Sequence, residues 1–318
     1  MADLEPPGEF CHQPVMVDEV VTVLSDVPDG VVVDATLGGG GHTEALLNAN
    51  QGLSVIGLDR DQEALAAACA LLAPHGERVI GMHRRFDEIA EAVRELGHHE
   101  VSACLFDLGV SSPQLDTAQR GFSYRRSGPL DMRMDRSGGI TAAEVVNSYD
   151  EHALAALLRS HGDEPYALRI ARAIVAARPV TSTIDLADVV RGAVPAAVRR
   201  RQGHPARRTF QAVRIEVNQE LEILQDALTQ ALSLLAPRGR CAVLAYHSGE
   251  DRIVKRCFRD AAGESTPPRP GLPPLAGQQA TVRLLWRGAR KPGNDETTSN
   301  RRSEAARLRV VEKLETAQ

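Results

Sequence analysis

Three aspartates close apolar runs in the first third of the chain: Asp34, Asp59 and Asp107. A carboxylate at a strand end can accept hydrogen bonds from a ligand or face a cation, although it also serves as a plain helix cap. Asp34 opens the segment D-A-T-L-G-G-G-G-H-T (34–43), a glycine run at a strand-to-helix turn. Glycines there let the backbone approach a ligand closely. A dinucleotide loop requires G-x-G-x-x-G/A, and the frame beginning at Gly38 puts Thr43 in the sixth place. No G-K-[ST] follows, so a Walker phosphate loop is excluded. An adenosyl ligand without phosphate fits better. Asp59 after the second strand can accept both ribose hydroxyls and would repel a 2′-phosphate. S-adenosylmethionine has an unsubstituted ribose and a cationic sulfonium, so these three acids at successive strand ends suit it.

A parallel sheet must bring those residues to one edge, and residues 31–108 carry its pattern. Strands are expected at Val31–Asp34, Leu53–Leu58, Val79–Met82 and Val101–Leu108. Helices are expected from about His42, over Asp61–Ala73 and from about Asp87 to Leu96. Strands separated by helices imply βαβ crossovers. Apolar runs without alternation, such as Ala103–Phe106, fit a sheet covered on both faces. Residues 116–140, rich in Gly, Arg, Ser and Met, read as an ordered loop. Residues 141–195 carry helix signals only: the Thr141/Glu144 capping box, an apolar stripe at Leu154, Leu157 and Leu158, and Thr183 as a cap before Ile184–Val194. Phe210–Leu235 reads as one long amphipathic helix. Arg240–Tyr246 and Thr281–Trp286 return to strand, residues 263–280 read as a Pro-rich loop, and Ala305–Lys313 fits helix or strand. The expected architecture is an α/β core in which a helical insertion interrupts the parallel sheet.

The composition is globular, with 37 basic and 42 acidic residues and a net charge of −5. That balance excludes a uniformly basic nucleic-acid coater but not a local basic face. The absence of long apolar runs argues against a membrane span, and the acidic, Pro-rich start argues against a secretory or transit leader. Five cysteines without C-x-x-C or a Cys/His quartet argue against structural zinc and a disulfide framework; a reducing cytoplasm is the expected home.

The blocks H-Q-P-V-M-V-D-E-V (12–20), D-A-T-L-G-G-G-G-H-T (34–43), D-L-G-V-S-S-P-Q-L-D (107–116), R-G-F-S-Y (120–124) and G-P-L-D-M-R-M (128–134) form one set. H-G-D-E-P-Y-A-L-R-I-A-R-A-I (161–174), H-P-A-R-R-T-F-Q-A-V-R-I-E-V-N (204–218) and Y-H-S-G-E-D-R-I-V-K (246–255) complete it. Together they resemble the ribosomal RNA small subunit methyltransferase H family, from about residue 12 to the carboxy terminus. The resemblance implies a class I Rossmann-like methyltransferase core with an inserted all-helical domain. Its divisions would be core residues 1–115, a substrate-recognition domain at 116–209 and core residues 210–318. It implies S-adenosylmethionine-dependent N4-methylation of a cytidine in the decoding region of 16S rRNA. Gly40, Gly41, His42, Asp59, Phe86, Asp107 and Gln114 would contact the cofactor. It also makes Ala305–Lys313 a strand. The family pattern usually has Thr at Arg207, Leu at Gly249 and Phe at Tyr246, and the tail at 300–309 only approximates it.

A cytosine N4 amine is a poor nucleophile because its lone pair is delocalised. Acceptors on its N–H groups and alignment with the S–CH₃ bond are what a catalyst must supply. Asp107 is the candidate for that role, alongside a pure cofactor role. His247 is a candidate proton acceptor or else a structural histidine. The base must leave its stack, which makes Phe122, Tyr124 and Tyr246 stacking candidates, or loop anchors in the case of the first two. Residues 189–215 contain seven arginines and no acid. Arg199, Arg200, Arg201, Arg207 and Arg208 are therefore expected to meet RNA phosphate. No metal is expected. The partner is 16S rRNA or the small subunit, with monomer and homodimer both open. Alternatives are another RNA or DNA acceptor, a non-catalytic assembly factor, and a nicotinamide oxidoreductase.

Overall fold

The apolar runs of the first hundred residues become sheet strands in the computed structural model, which describes residues 14–200, 203–264 and 279–315. The alternating half runs α1 (Val17–Leu24), β1 (Gly30–Asp34), α2 (Gly41–Ala49), β2 (Leu53–Asp59), α3 (Gln62–Leu72), β3 (Val79–His83), α4 (Ile89–Glu95) and β4 (Val101–Asp107). Helices follow without strands: α5 (Ser112–Asp116), α6 (Ala142–Ser148), α7 (Glu151–Gly162), α8 (Ala167–Ala176), α9 (Thr183–Ala193), α10 (Ala196–Arg199), α11 (Arg207–Asn218) and α12 (Glu220–Leu234). The chain then re-enters the sheet as β5 (Leu235–Ala245), α13 (Ser248–Ala261), β6 (Val282–Leu284), α14 (Asn294–Ser299) and β7 (Arg307–Lys313). Ala305–Lys313, open between helix and strand on pattern alone, thus supplies a strand.

The sheet order is β3-β2-β1-β4-β5-β7-β6. Strands β1 to β5 pair in parallel and β7 runs antiparallel to both neighbours. Connections leave β1 and β4 toward opposite halves of the sheet, and this switch point opens a crevice beyond their carboxyl ends. Apolar clusters cover both sheet faces, one built with Phe106, Leu228 and Phe258, the other with Leu46, Leu72 and Leu308. A third cluster belongs to the insertion. It joins Phe122, Met132, Leu158, Ile174 and Leu186 to Phe210, Val213 and Val217.

Two expectations change. The long helix from Phe210 to Leu235 is broken at Gln219, whose φ is +53°. Each piece keeps its apolar stripe, so periodicity alone runs on across the break; α11 faces the insertion's cluster and α12 the sheet. The helix over 183–193 is capped by Ser182, not Thr183: its side chain accepts the Asp185 N–H while the Asp185 carboxylate accepts the Ser182 N–H.

Candidate active site at the carboxyl edge of the sheet

Burial and backbone N–H groups together shape the carboxylates at the crevice. Asp34, at the end of β1, accepts from the Thr36 N–H (3.2 Å) and the Thr43 hydroxyl (2.7 Å). Burial raises its pKa against those bonds. Asp59, at the end of β2, accepts from the Gly38 N–H (2.7 Å) and the Asp61 N–H (2.8 Å). Desolvation outweighs both bonds and pushes it up to about 6. Asp59 thereby fastens the glycine loop to the turn after β2.

The glycines divide by what surrounds them. Gly40 has φ +84°, and a Cβ on Gly41 would lie 2.5 Å from Pro14. The protein's own packing accounts for both. A Cβ on Gly39 would meet no heavy atom within 4 Å, so the open approach to the loop is there.

Asp107, ending β4, sits between two partners. The Tyr246 hydroxyl donates to Oδ1 at 2.5 Å, and His42 Nδ1 lies 3.6 Å from Oδ2. His42 Nε2 is 2.9 Å from the Val15 carbonyl, which can only accept, so that nitrogen carries a hydrogen. Burial first, and Asp107 next, raise the Tyr246 pKa well above its ordinary value. The Asp107 N–H donates to Thr36 Oγ1 at 2.6 Å, which joins the loops after β1 and β4.

Gln114 is wired into the same edge. Its Oε1 accepts the Ser111 N–H (3.0 Å) and its Nε2 donates to Asp61 Oδ2 (2.8 Å). Asp61 also caps α3 and pairs with Arg120 at 2.7 Å, both side chains being 4% exposed. Burial alone would raise Asp61; Arg120 and Gln114 outweigh it and hold the carboxyl below its usual range. Arg120 reaches on to the Arg133 and Met134 carbonyls, and Asn218 donates to the Met132 carbonyl and accepts the Met134 N–H. These two residues bind the 128–134 loop to the core and to α11. Sequence reasoning gave neither a role, although both stand inside the quoted blocks. Phe86 packs edge-on to Phe106 (6.1 Å) at the rim of the sheet cluster.

His247 is engaged elsewhere. Its Nδ1 accepts the Gly249 and Glu250 N–H groups as the cap of α13, and its Nε2 faces Glu250 Oε1 at 3.1 Å. The Nδ1 lone pair is used by the cap, so a neutral ring carries its hydrogen on Nε2, which lies close to Glu250 without a hydrogen bond; this favours the structural reading. The stacking candidates are also committed. Phe122 is buried in the insertion's cluster, Tyr124 stacks on His204 with centroids 4.6 Å apart, and Tyr246 is tied to Asp107.

Arg199, Arg200, Arg207 and Arg208 are exposed, and among the described residues no carboxylate pairs with them. Arg201 lies outside the described residues. Arg207 and Arg208 occupy the first turn of α11, where positive charge opposes the helix dipole. Arg191 and Arg214 of the same stretch pair instead with Asp188 and Glu220. No group of three or more His, Cys, Asp or Glu among the described residues is placed to hold a metal. No helix among them is long and apolar enough to cross a membrane.

The strand order, the glycine loop and the acids beside the switch point define a Rossmann-like methyltransferase fold. The profile of the MraW methylase family matches residues 9–314, and the chain belongs to that family. It is 52% identical over 309 residues to the Ribosomal RNA small subunit methyltransferase H of Thermobifida fusca, covering 95% of this chain and 93% of that one. The protein of that name from Mycolicibacterium gilvum is 50% identical over 310 residues (95% and 83%). That from Acidothermus cellulolyticus is 49% identical over 315 residues (97% and 95%).

Proposed function

We propose that this protein transfers a methyl group from S-adenosylmethionine to N4 of a cytidine in the decoding region of 16S rRNA. One observation carries the chemical part of the reading: Asp107 is held by Tyr246 at the sheet edge that also bears Asp59 and the glycine loop. The donor set fits the cofactor. Asp59 is a desolvated acceptor at the place a ribose would occupy, Gly39 leaves the loop open, and the aspartates suit a cation. The cofactor supplies an electrophilic methyl group on a sulfonium centre.

The residues of the chain do the rest. Asp59 accepts the ribose hydroxyls and Asp34 keeps the loop in shape through Thr43 and Thr36. Asp107 accepts an N–H of the target amine, which returns electron density to the nitrogen as it attacks. The same carboxylate takes the proton lost after transfer, since the Nδ1 lone pair of His247 is used by the α13 cap. Residues 116 to about 218 form the recognition domain, ending at the Gln219 break rather than at 209. Its exposed arginines hold the RNA strand. The similarity to relatives named for the small-subunit RNA supports the choice of acceptor.

The test is mass spectrometry of 16S rRNA nucleosides from a deletion strain, with and without the restored gene. N4-methylated cytidine should disappear and return. Its persistence in the deletion strain overturns the reading, and loss of a methyl group from a different RNA moves the acceptor.

A further inference from the structure

We propose that a second basic cleft, between α13 and the connection from β6 to β7, holds the phosphate backbone of the substrate RNA. Arg207 and Arg208 of the insertion meet the start of α13 at His247 and Ser248, and the cleft lies about two to three turns further along that helix. Lys255, Arg259 and Arg287 line one concavity together with Trp286. All three basic side chains are exposed, and none has a carboxylate partner among the described residues. Two acids of the neighbouring elements are engaged by other arginines, while Asp260 and Glu264 follow Arg259 in the chain. Asp251 takes Arg307 and Arg309, and Glu312 takes Arg240 and Arg283. The lining itself holds basic side chains and no acid, in a protein whose net charge is −5. Arg290 lies over the Trp286 ring at 4.0 Å and adds a further cation to its rim. Basic groups around an aromatic wall are the composition that tracks a nucleic-acid backbone.

Strand register places Arg290, at the rim, level with Asp107, while Arg309 and Val310 of the lining pair with Val243 and Ala242, one and two residues before Leu244. Asp107 pairs with Leu244, Leu244 with Leu308, and Leu308 bridges to Arg290. Three inter-strand steps of about 4.8 Å set the Arg290 backbone roughly 14 Å from that of Asp107, along the same edge. A strand delivering a base to Asp107 passes within reach of both surfaces. The cleft and the insertion then both grip the RNA that carries the flipped nucleotide.

This proposal rests on RNA being the substrate, so the test compares two variants. The protein Lys255→Gln/Arg259→Gln/Arg287→Gln and the protein Arg199→Gln/Arg200→Gln are titrated with oligocytidylate between 50 and 200 mM salt. Loss of three phosphate contacts should flatten the slope of log K against log salt by about 2.1. The wild type should then lose roughly 20-fold more affinity than the cleft variant over that range. Trp286 is the single tryptophan of the chain, and its emission should change when oligocytidylate binds the wild type. Unchanged S-adenosylmethionine affinity in the cleft variant shows that it is folded. A cleft variant with normal slope and affinity, beside a weakened arginine-stretch variant, overturns the cleft and leaves the proposed function standing. Polyglutamate changing the Trp286 emission as much as RNA overturns the RNA assignment. No RNA binding by the wild type overturns both readings.

Discussion

The acids at the sheet edge and the arginines of the insertion are both dense in one charge, and the fold treats them oppositely. Asp34, Asp59 and Asp61 are largely withdrawn from water, and each carboxylate accepts at least two internal hydrogen bonds. Arg199, Arg200, Arg207 and Arg208 stand in solvent without carboxylate partners among the described residues. The difference reflects two binding problems. A small ligand is held by pre-positioned groups whose order is set before it arrives. A polyanion is held by many screened contacts, each weak and each dependent on salt.

The sharpest way to break the acid side is to remove its internal cation. Arg120→Met leaves Asp61 buried with Gln114 as its remaining side-chain donor. Uncoupling a buried pair costs about 3 kcal/mol or more. A denaturation midpoint equal to that of the wild type would show that Arg120 does not hold the 128–134 loop to the core.

Next in size is the cofactor contact. Asp59→Ala should weaken S-adenosylmethionine binding roughly 10- to 150-fold, as expected for losing hydrogen bonds to a charged acceptor. Unchanged affinity by calorimetry in a folded variant removes Asp59 from the site.

The pH response sharpens the same point. Asp59 has its pKa raised to about 6 in the folded chain, against 3.8 for the free group. The folded state therefore binds the extra proton between those values, so this group's contribution makes the protein less stable as pH rises through that window. Ribose hydroxyls favour the ionised carboxylate. Cofactor affinity should then fall as pH drops below about 6, by up to about tenfold per unit, and Asp59→Asn should abolish that dependence. A flat affinity profile from pH 5 to 8 in the wild type contradicts it.

The smallest effect belongs to the arginines. Arg199→Gln/Arg200→Gln should flatten the RNA salt slope by about 1.4 while cofactor affinity stays constant. A drop in cofactor affinity would mean that the insertion closes over the methyl donor, and the contrast between the two regions would dissolve.

Much of the sheet edge was legible because its signals are local. An apolar run ending in Asp, followed by glycines and a helix, fixes a strand, its direction and the acid at its tip. The capping box at Thr141 and Glu144 was readable for the same reason, and both of its bonds are present. The long helix was misread because amphipathic periodicity records a buried face but not which core receives it. Only packing against two different clusters puts the break at Gln219.

The sequence by itself determined the parallel core, the order of its acids and the concentration of arginine between residues 189 and 215. Tertiary structure decided what each side chain has left to offer. His247 spends its Nδ1 on a helix cap, Tyr246 spends its hydroxyl on Asp107, and Gly41 makes room for Pro14. The physical reason is that a hydrogen-bonding group has a fixed number of donors and acceptors. Partners far along the chain, such as Asp107 and Tyr246, are brought within bonding distance only when β4 and β5 pair.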